Sequence, residues 1–159
     1  MKNGQNLYSI LPLRVHEGER QRLFVQLEPK PEWIENTPHT FTGEVTLDGW
    51  IEFENDCVYI EADIQVPVEF VCDRCGTSFE KNLNATADAT YSEVGEYEKP
   101  TEIELEYKIV SNRIDLEPLV RDAILENMPS MVLCNENCKG LCPNCGENLN
   151  ISTCRCKKI

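Results

Sequence analysis

Histidine is nearly missing from this 159-residue sequence: only His16 and His39 occur, both far along the chain from every cysteine pair. That shortage argues against a catalytic zinc, which keeps one position open and usually draws on histidine or carboxylate. Also missing are a Gly-rich phosphate loop and a Gly-x-Ser-x-Gly turn, so no enzyme signature emerges and no small-molecule substrate is expected. No apolar run approaches the ~18 to 20 residues needed to cross a bilayer. The start, MKNGQNLYSILPLRVHEGERQ, lacks the continuous apolar stretch of a signal peptide, which leads to the expectation of a cytoplasmic protein with no membrane partner.

Positive charge is also scarce. Fifteen Lys and Arg stand against 28 Asp and Glu, for a formal charge of −13. The imbalance lies in residues 1–133, whereas residues 134–159 carry Lys139, Arg155, Lys157 and Lys158 against only Glu136 and Glu147. An acidic body repels phosphates, so broad nucleic-acid binding through the main surface is disfavoured. Contact with RNA, if any, is expected through those four cations of the tail. The plainer use of an acidic surface is solubility. Trp33 and Trp50 have no basic neighbours in the sequence, so a platform for stacking bases is weakly supported.

Cysteine, by contrast, is abundant and ordered. Eight of the nine fall into four close pairs: Cys72 and Cys75, Cys134 and Cys138, Cys142 and Cys145, Cys154 and Cys156. Zinc takes four soft ligands at tetrahedral corners, and two thiolates in one tight turn supply two of them. Four pairs are therefore enough for two closed, structural Zn sites. The odd count speaks against a complete disulfide framework, and thiols stay reduced in the expected compartment. Cys142-Pro-Asn-Cys145-Gly146 reads as a zinc knuckle, with the glycine permitting positive φ. Cys154 and Cys156 return after eight residues, so the favoured partition is a ribbon-type site of Cys142, Cys145, Cys154 and Cys156. Cys72, Cys75, Cys134 and Cys138 then form the second site and clamp the tail to the body. A rival partition joins Cys134, Cys138, Cys142 and Cys145, and spacing alone does not choose between them. A redox role for the Cys72 pair would want a helix N-terminus to lower one thiol, and none is visible there. Cys57 is left over and reads as a small buried side chain.

The body reads as antiparallel β structure, a mainly β (α+β) fold. From Val58 to Phe70 apolar and polar residues alternate without a break, the mark of a strand with one buried and one wet face. Val45, Leu47, Ile51 and Phe53 continue the pattern across the turn formers Asn55 and Asp56, which predicts a hairpin. Further strands are expected around Leu23–Leu27, Phe79–Tyr91 and Ile103–Ile109. Pro29, Pro31 and Pro38 mark a loop from about Glu28 to Thr40. Leu116, Leu119, Val120, Ala123 and Ile124 change to helical spacing, predicting one helix over about 115–128. Asp115 is its candidate N-cap, Pro118 lies in the first turn, and Pro129 stops it. The apolar stripe is most simply a face packed on the sheet. Two regions follow: a β-rich body over 1–133 and a zinc-binding tail over 134–159.

The segments IDLEPLVRDAILENMP, LCNENCKGLCPNCGENLN and STCRC, with VCDRCGTSF in mid-chain, resemble the bacterial YceD family of large ribosomal RNA subunit accumulation proteins. The resemblance extends from about Ile10 onward. It implies a non-enzymatic role in rRNA accumulation and ribosome biogenesis, with a ribosomal protein or ribosome assembly factor as partner. Many members continue beyond the last cysteines with an acidic stretch and an Asp-Pro-Arg segment. This sequence reads Cys156-Lys-Lys-Ile159 there, so nothing resting on that stretch carries over. Direct RNA binding by the tail and thiol redox or metal delivery are the competing expectations.

Overall fold

The structure, a computed structural model, describes residues 6–101, 104–154 and 156. Strand β1 (Leu7–Ser9) leads into a short helix α1 (Leu11–Val15) and then β2 (Gln21–Leu27). After β3 (Thr40–Phe41) come the three long strands β4 (Val45–Glu54), β5 (Cys57–Val71) and β6 (Ser78–Glu93). The chain closes with β7 (Lys108–Ile109), β8 (Arg113–Asp115) and the helix α2 (Glu117–Asn127) before the tail. The main sheet runs β2-β4-β5-β6-β7, with β3 pairing the end of β5, and β1 pairs β8 separately.

The alternating pattern of the sequence is realised residue for residue. Val58, Ile60, Ala62, Ile64, Val66, Val68 and Phe70 of β5 are all buried, while Tyr59, Glu61, Asp63, Gln65 and Glu69 face water. Each large aliphatic chain in that row stabilises the fold by ~1.5–3 kcal/mol relative to exposure. The β4–β5 hairpin turns on Asn55 and Asp56 alone, with Glu54 opposite Cys57. Their φ values of 51° and 60° suit the mirror-image two-residue turn that matches strand twist. Gly49 interrupts the inward row of β4 because a Cβ there would lie 2.2 Å from the Glu61 carbonyl oxygen. No described helix is long and apolar enough to cross a membrane.

Helix α2 lays Leu119, Val120, Ala123 and Ile124 on the core face of β6 and β5, as its spacing predicts. Its start differs from expectation. Asp115 belongs to β8 and Leu116 occupies the N-cap, but the Asp115 carboxylate still accepts the Glu117 N–H at 3.0 Å. The cap survives as a two-residue side-chain turn. The expected strand over Ile103–Ile109 is also corrected. Leu105 and Tyr107 lie in a 3₁₀ turn, Glu104–Tyr107, and only Lys108 and Ile109 extend; Ile103 lies outside the described residues. The turn is held to α2 instead, by paired hydrogen bonds from Arg121 to Glu106 and by the Tyr107 hydroxyl donating to Asp122 at 2.6 Å.

Two further expectations change. Cys57 is half-buried at the head of β5 rather than buried. Trp50 does have basic neighbours, because register places Arg22 of β2 opposite it and brings Arg20 close. Their guanidinium carbons stand 5.6 Å and 5.5 Å from the indole ring, a pairing across strands that linear sequence does not show.

Candidate metal centres

The β5–β6 connection is the first knuckle. As β5 ends, the Cys72 N–H donates to the Thr77 carbonyl at 2.9 Å, and the Gly76 N–H donates back to the Cys72 carbonyl at 3.0 Å. Gly76 takes φ 73°, a left-handed conformation that a Cβ would disfavour. The tail repeats this turn. The Cys142 N–H reaches the Glu147 carbonyl at 2.8 Å, the Gly146 N–H returns to Cys142 at 2.9 Å, and Gly146 has φ 74°. Both knuckles therefore present two sulfurs in the same local frame.

Chain reversal then brings each knuckle a second pair. Cys72, Cys75, Cys134 and Cys138 converge with their sulfurs within 4.8 Å of one another, and so do Cys142, Cys145, Cys154 and Cys156. The favoured partition is the observed one, and the rival grouping of Cys134 and Cys138 with Cys142 and Cys145 does not occur. All nine cysteines are free thiols. Sulfur separations are 3.6 Å for Cys72 and Cys138, 3.7 Å for Cys75 and Cys134, and 3.5 Å for Cys145 and Cys154. Tetrahedral zinc with Zn–S bonds of about 2.3 Å spaces its sulfurs by about 3.8 Å, which the inner group matches. In the outer group Cys142 lies 4.0 Å from Cys156 but 3.1 Å from Cys154, closer than around a bound zinc, while the four-thiol donor set of each group fits that ion. Neither histidine belongs to either group. His39 instead packs edge-on against Phe70, and His16 lies at the surface near Glu19.

The electrostatics of the two centres are alike. Burial pushes the Cys72 thiol up, but backbone N–H groups of Cys75, Cys134 and Arg74 outweigh it and bring the pKa to about 6. The N–H of Cys145, a hydrogen bond from Cys154 and the N–H of Asn144 bring Cys142 to about 6 as well. The knuckle turn thus does what a helix N-terminus does elsewhere. Other thiols move the opposite way: Cys134 in the inner group, Cys154 and Cys156 in the outer one. Partial burial and the neighbouring sulfurs push Cys134 up to about 12, and hydrogen bonding with Cys154 and Cys145 does the same to Cys156. Four crowded sulfurs repel as anions, and a dication relieves that repulsion.

The surrounding contacts were not legible in the sequence. Asp73 and Val132 bond reciprocally: the Asp73 N–H donates to the Val132 carbonyl at 2.7 Å, and the Val132 N–H donates to the Asp73 carboxylate at 2.5 Å. Arg74 donates to the Cys138 carbonyl at 3.1 Å. The Thr77 hydroxyl lies 3.2 Å from the Cys75 sulfur and lowers its pKa. From the outer loop, Asn150 donates its side-chain amide to the Cys138 sulfur at 3.4 Å, and Asn148 reaches Thr77 at 3.4 Å. The loop of one centre therefore closes over the other. Of the cations expected to meet RNA, Lys139 is exposed, while Arg155, Lys157 and Lys158 lie outside the described residues.

The sequence model of the family described as Large ribosomal RNA subunit accumulation protein YceD matches residues 60–159, which hold both knuckles, α2 and all eight paired cysteines. The chain belongs to the YceD family. The family's description names an accumulation role and no reaction. A chloroplastic YCED homolog 1 of Zea mays, itself called a large ribosomal RNA subunit accumulation protein, is 43% identical over 54 residues, 33% of this chain and 18% of its own. An uncharacterized protein of Mycobacterium leprae is 27% identical over 106 residues, covering 66% of this chain. The matched segment spans about half (49%) of that mycobacterial relative. No solved structure matches the chain.

Proposed function

We propose that this chain is a non-enzymatic factor supporting accumulation of large-subunit ribosomal RNA, acting in the cytoplasm as an adaptor whose tail is held by two structural zinc ions. The carrying observation is the pair of closed four-thiol centres inside a member of the YceD family. Four sulfurs fill a tetrahedron and leave no position for water or substrate, so the ions would fold the chain rather than react. Cys72, Cys75, Cys134 and Cys138 would hold one, and Cys142, Cys145, Cys154 and Cys156 the other. Residues 1–133 then serve as the body and 134–159 as the metal-bound tail. The excess of carboxylates favours a basic protein partner, a ribosomal protein or assembly factor, over direct contact with rRNA.

The test is affinity capture from cells, with elemental analysis of the purified chain. Two zinc ions per chain, Cys57 as the one reactive thiol, and recovery of a ribosomal protein or assembly factor are expected. Direct binding of purified rRNA by the isolated chain, falling steeply with salt, would favour RNA binding through the tail. Recovery of neither ribosomal protein nor rRNA would overturn the reading. Readily exchanged metal with fast-reacting paired thiols would point to redox or metal delivery instead.

A further inference from the structure

The proline-marked loop between β2 and β3 is not absorbed by the metal centres, and it is not featureless. Pro31–Ile34 form a 3₁₀ turn that packs against α2 and β3. Between this turn and β3 lies a groove of about 940 Å³. Pro29, Pro31, Ile34, Pro38 and Phe41 give it an apolar lining. Four carboxylates rim it, Glu28, Glu32, Glu35 and Glu44, all exposed. Among the described residues none of the four is in an ion pair, and the nearby Lys30 is engaged by Glu117 at 2.5 Å.

His39 also lines the groove and is only 8% exposed. Its Nδ1 accepts the Val71 N–H at 3.1 Å, so the neutral ring carries its proton on Nε2, a donor with no partner among the described residues. Beside it, β3 hydrogen-bonds to β5 on one side and to no other described strand. An apolar floor, a ring N–H donor without a described partner and an open strand edge suit an extended peptide, whose carbonyls and alternate side chains meet such features.

We propose that this groove docks an extended polypeptide segment in which lysines or arginines flank apolar or aromatic side chains. Charge complementarity selects that occupant. Four carboxylates outside any described ion pair repel RNA phosphates and anionic lipid alike, and the net negative charge of residues 1–133 disfavours the body of a second copy. A single metal ion does not fit, because the only metal-competent groups among the described residues are the two cysteine clusters. The inference deepens the adaptor reading and rests on it for the partner's nature, since a basic assembly partner would present such a segment.

The experiment uses the full zinc-loaded chain and a fluorescein-labelled eight-residue peptide alternating lysine with leucine and phenylalanine. Saturable binding is expected, at least about tenfold weaker for the Glu32→Lys/Glu35→Lys double variant. Both glutamates are exposed, and an unchanged melting temperature checks the fold. The double variant Glu52→Lys/Asp88→Lys, with the same charge change on the open sheet face, should alter affinity less than about twofold. Equal losses in both variants, or no binding by the native chain at low salt, would overturn the proposal. In cells the two readings separate. Undiminished capture of a ribosomal partner by the Glu32→Lys/Glu35→Lys variant sinks the groove and leaves the adaptor. Peptide binding at the groove with no ribosomal partner captured does the reverse.

Discussion

The two cysteine centres share a turn yet differ in surroundings. The inner one, Cys72, Cys75, Cys134 and Cys138, has three buried members and sits between the end of β5 and the segment after α2. The outer one has only Cys142 buried, and Cys145 is exposed. The inner centre joins positions 59 to 66 residues apart, whereas the longest contact of the outer one spans 14. Closing a longer loop costs more chain entropy, and a link across it constrains the unfolded chain more. Equal chemistry is therefore expected to have unequal consequences once a metal binds: the inner centre would fasten the segment after α2 to the end of β5, and the outer one would shape the segment from Cys142 to Cys156.

That contrast is open to attack. Cys138→Ser has the largest expected effect. Metal content should fall by one ion, and apparent stability in zinc should drop by about 5 kcal/mol or more, read by thermal or denaturant melting. An unchanged melt would mean the inner centre is no clamp. Cys145→Ser should also remove one ion while leaving the body's unfolding within about 1 kcal/mol of the native chain. It should nonetheless hasten loss of the inner ion to a chelator, because the loop carrying Asn148 and Asn150 loses its anchor. Independent release at the native rate would show the centres to be uncoupled.

A finer probe is Asn150→Ala, which removes the amide donated to the Cys138 sulfur without touching a ligand. Outer-sphere partners of metal ligands typically matter by about tenfold or more in affinity, and that loss is expected at the inner centre alone. Competition with a chromophoric chelator measures it; equal weakening of both centres would contradict the placement. The smallest effect concerns protons. With Cys72 and Cys142 at about 6, both are thiolates at pH 7 in the metal-free fold. Zinc loading at pH 7 should then release fewer than eight protons from the eight thiols, as measured in weakly buffered titration. The folded pKa values lie below the ordinary thiol value. Their contribution to stability is thus present above that value and is lost as pH falls through about 6. Release of all eight protons would remove the role assigned to the knuckle N–H groups.

Much of the body was readable because each cue is local. A period of two over Val58–Phe70 allows only one face to be buried, and Asn55-Asp56 tolerates the positive φ of a tight hairpin. The knuckles were readable for the same reason, since Gly76 and Gly146 follow their cysteines directly. Failures occurred where local preference lost to packing. Leu105 and Tyr107 alternate like a strand, yet the bonds of Arg121 and Tyr107 to their partners draw that segment into a turn against α2. Trp50 lacked cations in sequence because its neighbours arrive from β2 by register.

By itself, then, the sequence determined the strand faces, the helix, the two knuckle turns and the supply of eight thiols, all set within a few residues by sterics and hydrogen bonding. Only the tertiary structure decided which pairs meet. That outcome depends on the β5–β6 corner, the reciprocal Asp73–Val132 bonds and the reach of Asn148 and Asn150, contacts between segments dozens of residues apart. The groove beside His39 has the same origin: a wall from the proline loop and a floor from β3 acquire meaning only when folding sets them side by side.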